Sequence, residues 1–382
     1  MSYLVYLNNY DIRQRDAQYL WLLYEILAHN TTAHFILNKD YLRDYDRRNS
    51  WEVRQAESKY GDFSKLISRL KPENYTVMRK PEEILDTSKV VPSEILHYVA
   101  TYPIKEQVDV IEDVLKKKDI KAGITWVNNR CFEKTLERYR IPTIHHELGP
   151  FRPPIYLPTI YTDFSGVNGN TEFDSRLKEF LKVCDKVPIL SREEILKIIS
   201  PKYSNRLIEI LHNKDYRYEI GVGLQVEVDT NLLLFNNGRH WVDPLLQAQA
   251  DCTGKILVRP HPAAGFTMKP SARLDIDDLT KGKAIDFINK CGKIYCLNSS
   301  VGLEAILLGR EAKIFGDSPF ANLCSMEEDT KLKALNFAVF GYLTHRDLLF
   351  EDSYYEWRIP ARGNEKEIYL RNMKTFLEYA KK

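Results

Sequence analysis

Two carboxylates, a histidine between prolines and a pair of serines stand where apolar runs give way to polar turns. Glu147 follows "IPTIHH" just before Gly149, and Asp229 closes "LQVEVD". Arg259 and His261 belong to "RPHP", and Asn298, Ser299 and Ser300 interrupt "KIYCLNSSVGLEAILLG". Two carboxylates in different surroundings can divide the roles of nucleophile and acid/base. A turn with two hydroxyls and free N–H groups at a helix start, beside an arginine and a histidine, suits a phosphate. Gly302 would let the backbone come close to that group. Glu304, one turn on, could accept from a ribose diol or simply face solvent. Plainer readings stand beside these: Ser299 or Ser300 as a helix N-cap, Asp229 likewise, and a structural role for His261.

The elements that must position these residues follow from the pattern. "SYLVYLNN", "AHFILNK", "AGITWV" and "IPTIHHEL" read as strands, with helical spacing in "DAQYLWLLYEILAHN", "VDVIEDVLKKK" and "CFEKTLERYR". Residues 40–90 are charged and irregular and read as helical decoration. The Pro-, Gly- and Tyr-rich "FRPPIYLPTIYTDFSGVNGN" breaks the rhythm, and long irregular segments tend to be functional. A second β–α series opens at "YEIGVGLQVEVD", which reads as a strand with Gln225 and Glu227 alternating with apolar residues, and runs to "AKIFG". This alternation argues for parallel sheets with flanking helices, in two Rossmann-like halves facing a central cleft. The expected divisions are 1–218, 219–345 and a C-terminal segment 346–382 ending in a helix. Glu147 and Asp229 would then meet from opposite halves.

Composition removes several classes. With 55 basic and 53 acidic residues in 382, the net charge of +2 calls for no nucleic-acid partner. The six cysteines show no metal spacing and read as small hydrophobes in a reducing compartment. "HHE" (His145–Glu147) lacks the i, i+4 spacing of a helical zinc site, and adjacent strand side chains point to opposite faces. "LDIDDL" (Leu274–Leu279) looks like a metal-binding aspartate pair but reads as a solvated helix start. Neither a Walker loop nor a dinucleotide fingerprint is present. With no leader and no long apolar run, the chain is expected in the cytoplasm, with room for peripheral contact at the inner membrane face.

Taken together, a glutamate before "GPFRPP" and "GVNG", then "LQVEVD", "RPHP" and "NSSVGLEAILLG", resembles the bacterial capsule and lipopolysaccharide glycosyltransferases. In particular it resembles the retaining β-Kdo transferases that use CMP-Kdo. The resemblance spans roughly residues 120–316, and the serine turn alone is shared by many GT-B enzymes. It implies a GT-B-like α/β fold and transfer of Kdo from CMP-β-Kdo to a saccharide acceptor, with retention and without a metal or other cofactor. Asp229 would be the nucleophile and Glu147 the acid/base. Arg259 and His261 would contact the CMP phosphate or the sugar carboxylate, and Asn298, Ser299, Ser300, Gly302, Glu304 and Gln225 would line the donor site. Arg152 and Asn168, in the 149–169 segment, would shape the acceptor side. The expected partners are a lipid-linked saccharide acceptor and further glycosyltransferase modules.

Two rivals remain. One is a GT-B enzyme acting on another nucleotide sugar, a UDP-sugar transferase or epimerase. The other is a non-catalytic carbohydrate-binding subunit of a polysaccharide synthase.

Overall fold

The computed structural model describes residues 2–7, 19–29, 32–42, 58–59, 61, 63–85, 92–227, 229–262, 268–280 and 282–382. Much of the 40–90 stretch and Val228 of "LQVEVD" therefore lie outside the described residues. The chain forms two compact units. The first comprises Met1–His146, Asp163–Val167 and Asp347–Pro360; the second comprises Glu147–Thr162, Asn168–Arg346 and Ala361–Lys382. The boundary expected near 218 falls inside the second unit, and the C-terminal segment is shared between the two.

The first unit is built on parallel strands β1 (Tyr3–Tyr6), β2 (His34–Leu37), β3 (Tyr75–Val77), β4 (Ala122–Thr125) and the start of β5 (Thr143–Leu148), in the order β5-β4-β1-β2-β3. β1, β2 and β4 are buried at every residue, as expected of strands covered on both faces. Helices at Leu20–His29, Lys105–Lys117 and Arg130–Arg138 connect them. β3 is an edge strand that the charge-rich reading of this region misses. The two histidines of β5 take separate partners, as strand alternation requires: His145 Nε2 lies 3.2 Å from Glu133 Oε1, and His146 Nε2 lies 3.2 Å from Tyr355 Oη.

The second unit contains β6 (Thr159–Asp163, but for its last residue) within the segment read as irregular. β6 pairs antiparallel with β12 (Leu343–His345). Its main sheet is wholly parallel: β7 (Tyr218–Gly223), β8 (Ile256–Arg259), β9 (Leu274–Ile276), β10 (Cys291–Cys296) and β11 (Glu311–Ile314), ordered β11-β10-β7-β8-β9. The chain winds outward from β7 through β8 to β9, then returns to lay β10 and β11 on the other side of β7. The strand order thus reverses between β7 and β10, the place where doubly wound sheets open a crevice at their carboxyl ends. The α/β class and parallel sheets expected of a GT-B-like chain are what the structure has.

Candidate functional site

The second unit gathers its polar residues at the β7/β10 reversal. β7 ends at Gly223, so the described residues of "LQVEVD" form a loop and not the end of a strand. Freed from strand geometry, Gln225 turns to Asn298, which follows β10. Gln225 Nε2 donates to Asn298 Oδ1 (2.8 Å), and Asn298 N donates to Gln225 Oε1 (3.0 Å). Asn298 Nδ2 also donates to the carbonyls of Asn231 (3.0 Å) and Phe235 (3.2 Å). Those carbonyls belong to the helix α1 (Thr230–Leu234) and its C-cap. Asp229 caps α1, its carboxylate accepting from Asn231 N at 3.0 Å. One amide pair therefore fixes both the serine turn and the loop that bears Asp229, and Gln225 and Asn298 spend their hydrogen-bonding capacity on each other and on the backbone.

Beside this clamp lies a cavity of about 470 Å³ whose walls include Arg152, Tyr156, Arg259, His261, Lys283, Ser299, Ser300 and Glu304. The serine turn leads into α2 (Val301–Leu307). Ser300 makes no side-chain cap; Ser299 Oγ accepts weakly from Val301 N at 3.4 Å. The bland N-cap reading of Ser300 thus fails, and its hydroxyl stays at the cavity wall. Gly302 is in close contact with β11. Its N–H goes to Ser299 O (3.1 Å), and a Cβ there would lie 2.7 Å from Ile314 Cδ1. The glycine is needed so that α2 can pack on β11.

Glu304 does not face solvent. It is 7% exposed, and its Oε1 accepts from Tyr156 Oη at 2.8 Å. Burial pushes its carboxyl up to about 7, against the Tyr156 hydrogen bond and the charges of Arg259 and Arg152. Arg259 is already engaged: it pairs with the buried Asp277 and donates to Gly282 O at 3.3 Å. Asp277 also takes Lys290 Nζ at 2.9 Å. The "LDIDDL" stretch is accordingly β9 followed by a buried ion-pair acceptor, not a solvated helix start. Asp275 is held by Tyr218 Oη (2.8 Å) and Lys255 Nζ (3.0 Å), and Asp278 caps Thr280. Among the described residues no cluster of three or more His, Cys, Asp or Glu side chains is arranged to hold a metal ion.

Glu147, Arg152, Asn168 and Asp229 form the second part of the site. Glu147 follows the buried part of β5, and its Oε1 accepts from Leu148 N at 2.7 Å. Burial pushes its carboxyl up to about 7. The Leu148 N–H, the Arg152 charge and a hydrogen bond with the Asn168 side chain favour its anion, while the negative charge of Asp229 opposes it. Asn168 reaches this position from a left-handed backbone (φ 67°), a conformation asparagine tolerates, with its N–H donating to Tyr161 Oη at 2.7 Å. Gly149 lets the chain turn here, since a Cβ would fall 2.2 Å from Thr159 Oγ1. Asp229 is half-buried at a helix start, where an anion is favoured. Two carboxylates in electrostatic contact thus have unequal surroundings, the condition for dividing acid/base from nucleophilic work. Both belong to the second unit.

Every sequence-derived site residue lies in this unit, but not all in one group. Arg152, Arg259, His261, Ser299, Ser300 and Glu304 line the cavity; Glu147 feels the charges of Arg152 and Asp229 and bonds the Asn168 side chain; Gln225, Asn298 and Gly302 are held by packing and hydrogen bonds within the scaffold. Sequence reasoning missed Tyr156 and Lys283 and took Asp277 as part of a solvated helix start. The signal for Tyr156 was its place in "RPPIY", since a tyrosine buried there needs a hydroxyl partner.

The raised carboxyls have a measurable consequence. The folded chain keeps a proton on Glu304 between pH about 4.5 and about 7, where the unfolded chain has lost it, so this group's contribution to stability falls as pH rises through that window. Glu304→Gln keeps an acceptor for Tyr156 and removes the buried charge. It should be more stable than wild type at pH 8 by about 1–3 kcal/mol, with the gain vanishing near pH 4.5. Urea unfolding at both pH values checks this; equal stability at pH 8 would mean that the carboxylate is hydrated.

Residues 5–172 match the N-terminal domain of the glycosyltransferase 99 family, and residues 195–334 match the family of capsule polysaccharide biosynthesis proteins. No curated protein matches the chain. Among solved structures it is similar to the β-Kdo 2,7 transferase of Thermosulfurimonas dismutans KpsC (20% identity, 65% of this chain and 88% of that one, TM-score 0.41). It is also similar to the β-Kdo 2,4 transferase of the same KpsC (17% identity, 59% and 81%, TM-score 0.41) and to Acinetobacter baumannii MurG (9% identity, 100% and 98%, TM-score 0.30). The chain thus joins a region similar to the glycosyltransferase 99 N-terminal domain to a region similar to the capsule polysaccharide biosynthesis proteins.

Proposed function

We propose that this capsule-biosynthesis glycosyltransferase transfers Kdo from CMP-β-Kdo to a saccharide acceptor, with retention, through a covalent adduct on Asp229. The observation that carries the reading is the pair Glu147 and Asp229: a partly buried carboxyl raised to about 7 by desolvation, in electrostatic contact with a half-buried carboxylate held at a helix start. In the first displacement Asp229 attacks the anomeric carbon and CMP leaves. In the second, Glu147 takes the proton of the acceptor hydroxyl, which displaces Asp229. Each step inverts, so two together retain. Ser299, Ser300 and His261, on the wall of the cavity, would receive the phosphate. Arg259, fixed by Asp277, would lend its charge without reorganising as the leaving group gains negative charge. No metal is needed in this scheme. We place the reaction at the inner face of the cytoplasmic membrane, on a lipid-linked acceptor and alongside other glycosyltransferase modules. Among the described residues no helix is long and apolar enough to cross a membrane.

A nucleotide screen tests the donor. CMP at 100 times its dissociation constant should stabilise the fold by about 2.7 kcal/mol, while UDP, GDP and NAD should leave the unfolding midpoint unchanged. An equal shift with UDP would favour an enzyme acting on another nucleotide sugar. Transfer should also proceed undiminished in EDTA. Loss on chelation, restored by Mg²⁺ or Mn²⁺, would contradict the metal-free scheme.

A further inference from the structure

Three cationic side chains line the 470 Å³ cavity, and they are not equivalent. Arg259 is committed to Asp277 and the Gly282 carbonyl. Lys283 begins the turn before the helix at Ala284–Asn289 and lies 6.0 Å from the Tyr203 ring. Arg152 is exposed, and its guanidinium makes one hydrogen bond among the described residues, from Nε to Gly149 O at 2.9 Å. That bond anchors the side chain through Nε and leaves both terminal nitrogens without a hydrogen-bond partner among the described residues. The charge of Arg152 acts on both Glu304, on the cavity wall, and Glu147, which in turn is in electrostatic contact with Asp229.

Arg152 therefore stands at the junction between the cavity and the carboxylate pair. In a 2-keto sugar acid the carboxylate is bonded directly to the anomeric carbon. Any group that reads it must sit beside the reacting centre, within reach of the same carboxylates that act there. A planar guanidinium fork with two unengaged nitrogens matches a carboxylate in a bidentate pair, which a lysine ammonium cannot do. On the donor reading given above, we infer that Arg152 receives the carboxylate of the donor sugar and sets the preference for a sugar acid over a neutral hexose. Arg152 thus belongs to the donor side rather than to the acceptor.

The test separates this inference from the reading on which it rests. Dissociation constants for CMP and for CMP-Kdo are measured calorimetrically in the Asp229→Asn background, with Arg152 intact, as Arg152→Gln and as Arg152→Lys. Because Arg152 is exposed, the unfolding midpoint should not move in either variant. Arg152→Gln should weaken CMP-Kdo about 10- to 100-fold and CMP by less than about threefold, and Arg152→Lys should recover part of the loss. Equal weakening of CMP and CMP-Kdo would put Arg152 on the phosphate and overturn the inference, as would unchanged binding of both. If the chain with Arg152 intact binds CMP-Kdo, either result overturns the inference alone. If wild type binds no CMP, the donor reading fails and the inference falls with it.

Discussion

The side chain of Asn298 decides where both halves of the candidate chemistry stand. Its Oδ1 accepts from Gln225 across the β7/β10 reversal while the Asn298 backbone N–H donates to Gln225 Oε1, and its Nδ2 donates to the carbonyls of Asn231 and Phe235. Through the first pair it sets the turn that presents Ser299 and Ser300; through the second it seats the short helix capped by Asp229. Asn298 is 4% exposed, so each of these polar atoms would cost about 1–3 kcal/mol if left unpaired. A five-residue helix cannot hold itself in place by its own backbone bonds. Its register, and hence the position of Asp229, is borrowed from the clamp.

Around that scaffold the charges are arranged by burial. Glu304 and Glu147 are desolvated enough to hold protons near neutrality, each against nearby groups that favour the anion. Arg259 is treated in the opposite way: it is paired with Asp277, which Lys290 also neutralises. A cation held by a buried partner stays in one orientation, whereas the guanidinium of Arg152 keeps donors available. The site thus contains fixed charge for a leaving group, an adjustable proton on Glu147 and one uncommitted fork.

Much of this was legible in the sequence because strand ends are easily read. Apolar runs stopping at Glu147, Arg259 and Leu297 put the right residues at the right end of parallel strands. The roles of Gln225, Asn298 and Gly302 were not legible. Their partners are each other, or Ile314, and such pairings depend on tertiary packing rather than on local pattern. "LQVEVD" alternates like a strand, yet β7 stops at Gly223 because Gln225 bonds to Asn298 instead of continuing a ladder. "LDIDDL" looked solvated because its neighbours in sequence are lysines and acids. Its buried Asp277 is explained by Arg259, 18 residues earlier. β6 was hidden among prolines and glycines, and the compact units divide at Glu147 rather than near 218, with β12 and all of β6 but its last residue falling in the second unit.

The most direct test of the double displacement is the intact mass of the protein mixed with CMP-Kdo in the absence of acceptor. Wild type should gain the mass of one Kdo residue, and that gain should be absent in Asp229→Asn, which keeps the helix cap but lacks the attacking carboxylate. Glu147→Gln should carry the adduct and retain it when acceptor is added. An unmodified wild type that nevertheless transfers Kdo, or an adduct that survives in Asp229→Asn, would contradict the assignment of Asp229 as nucleophile.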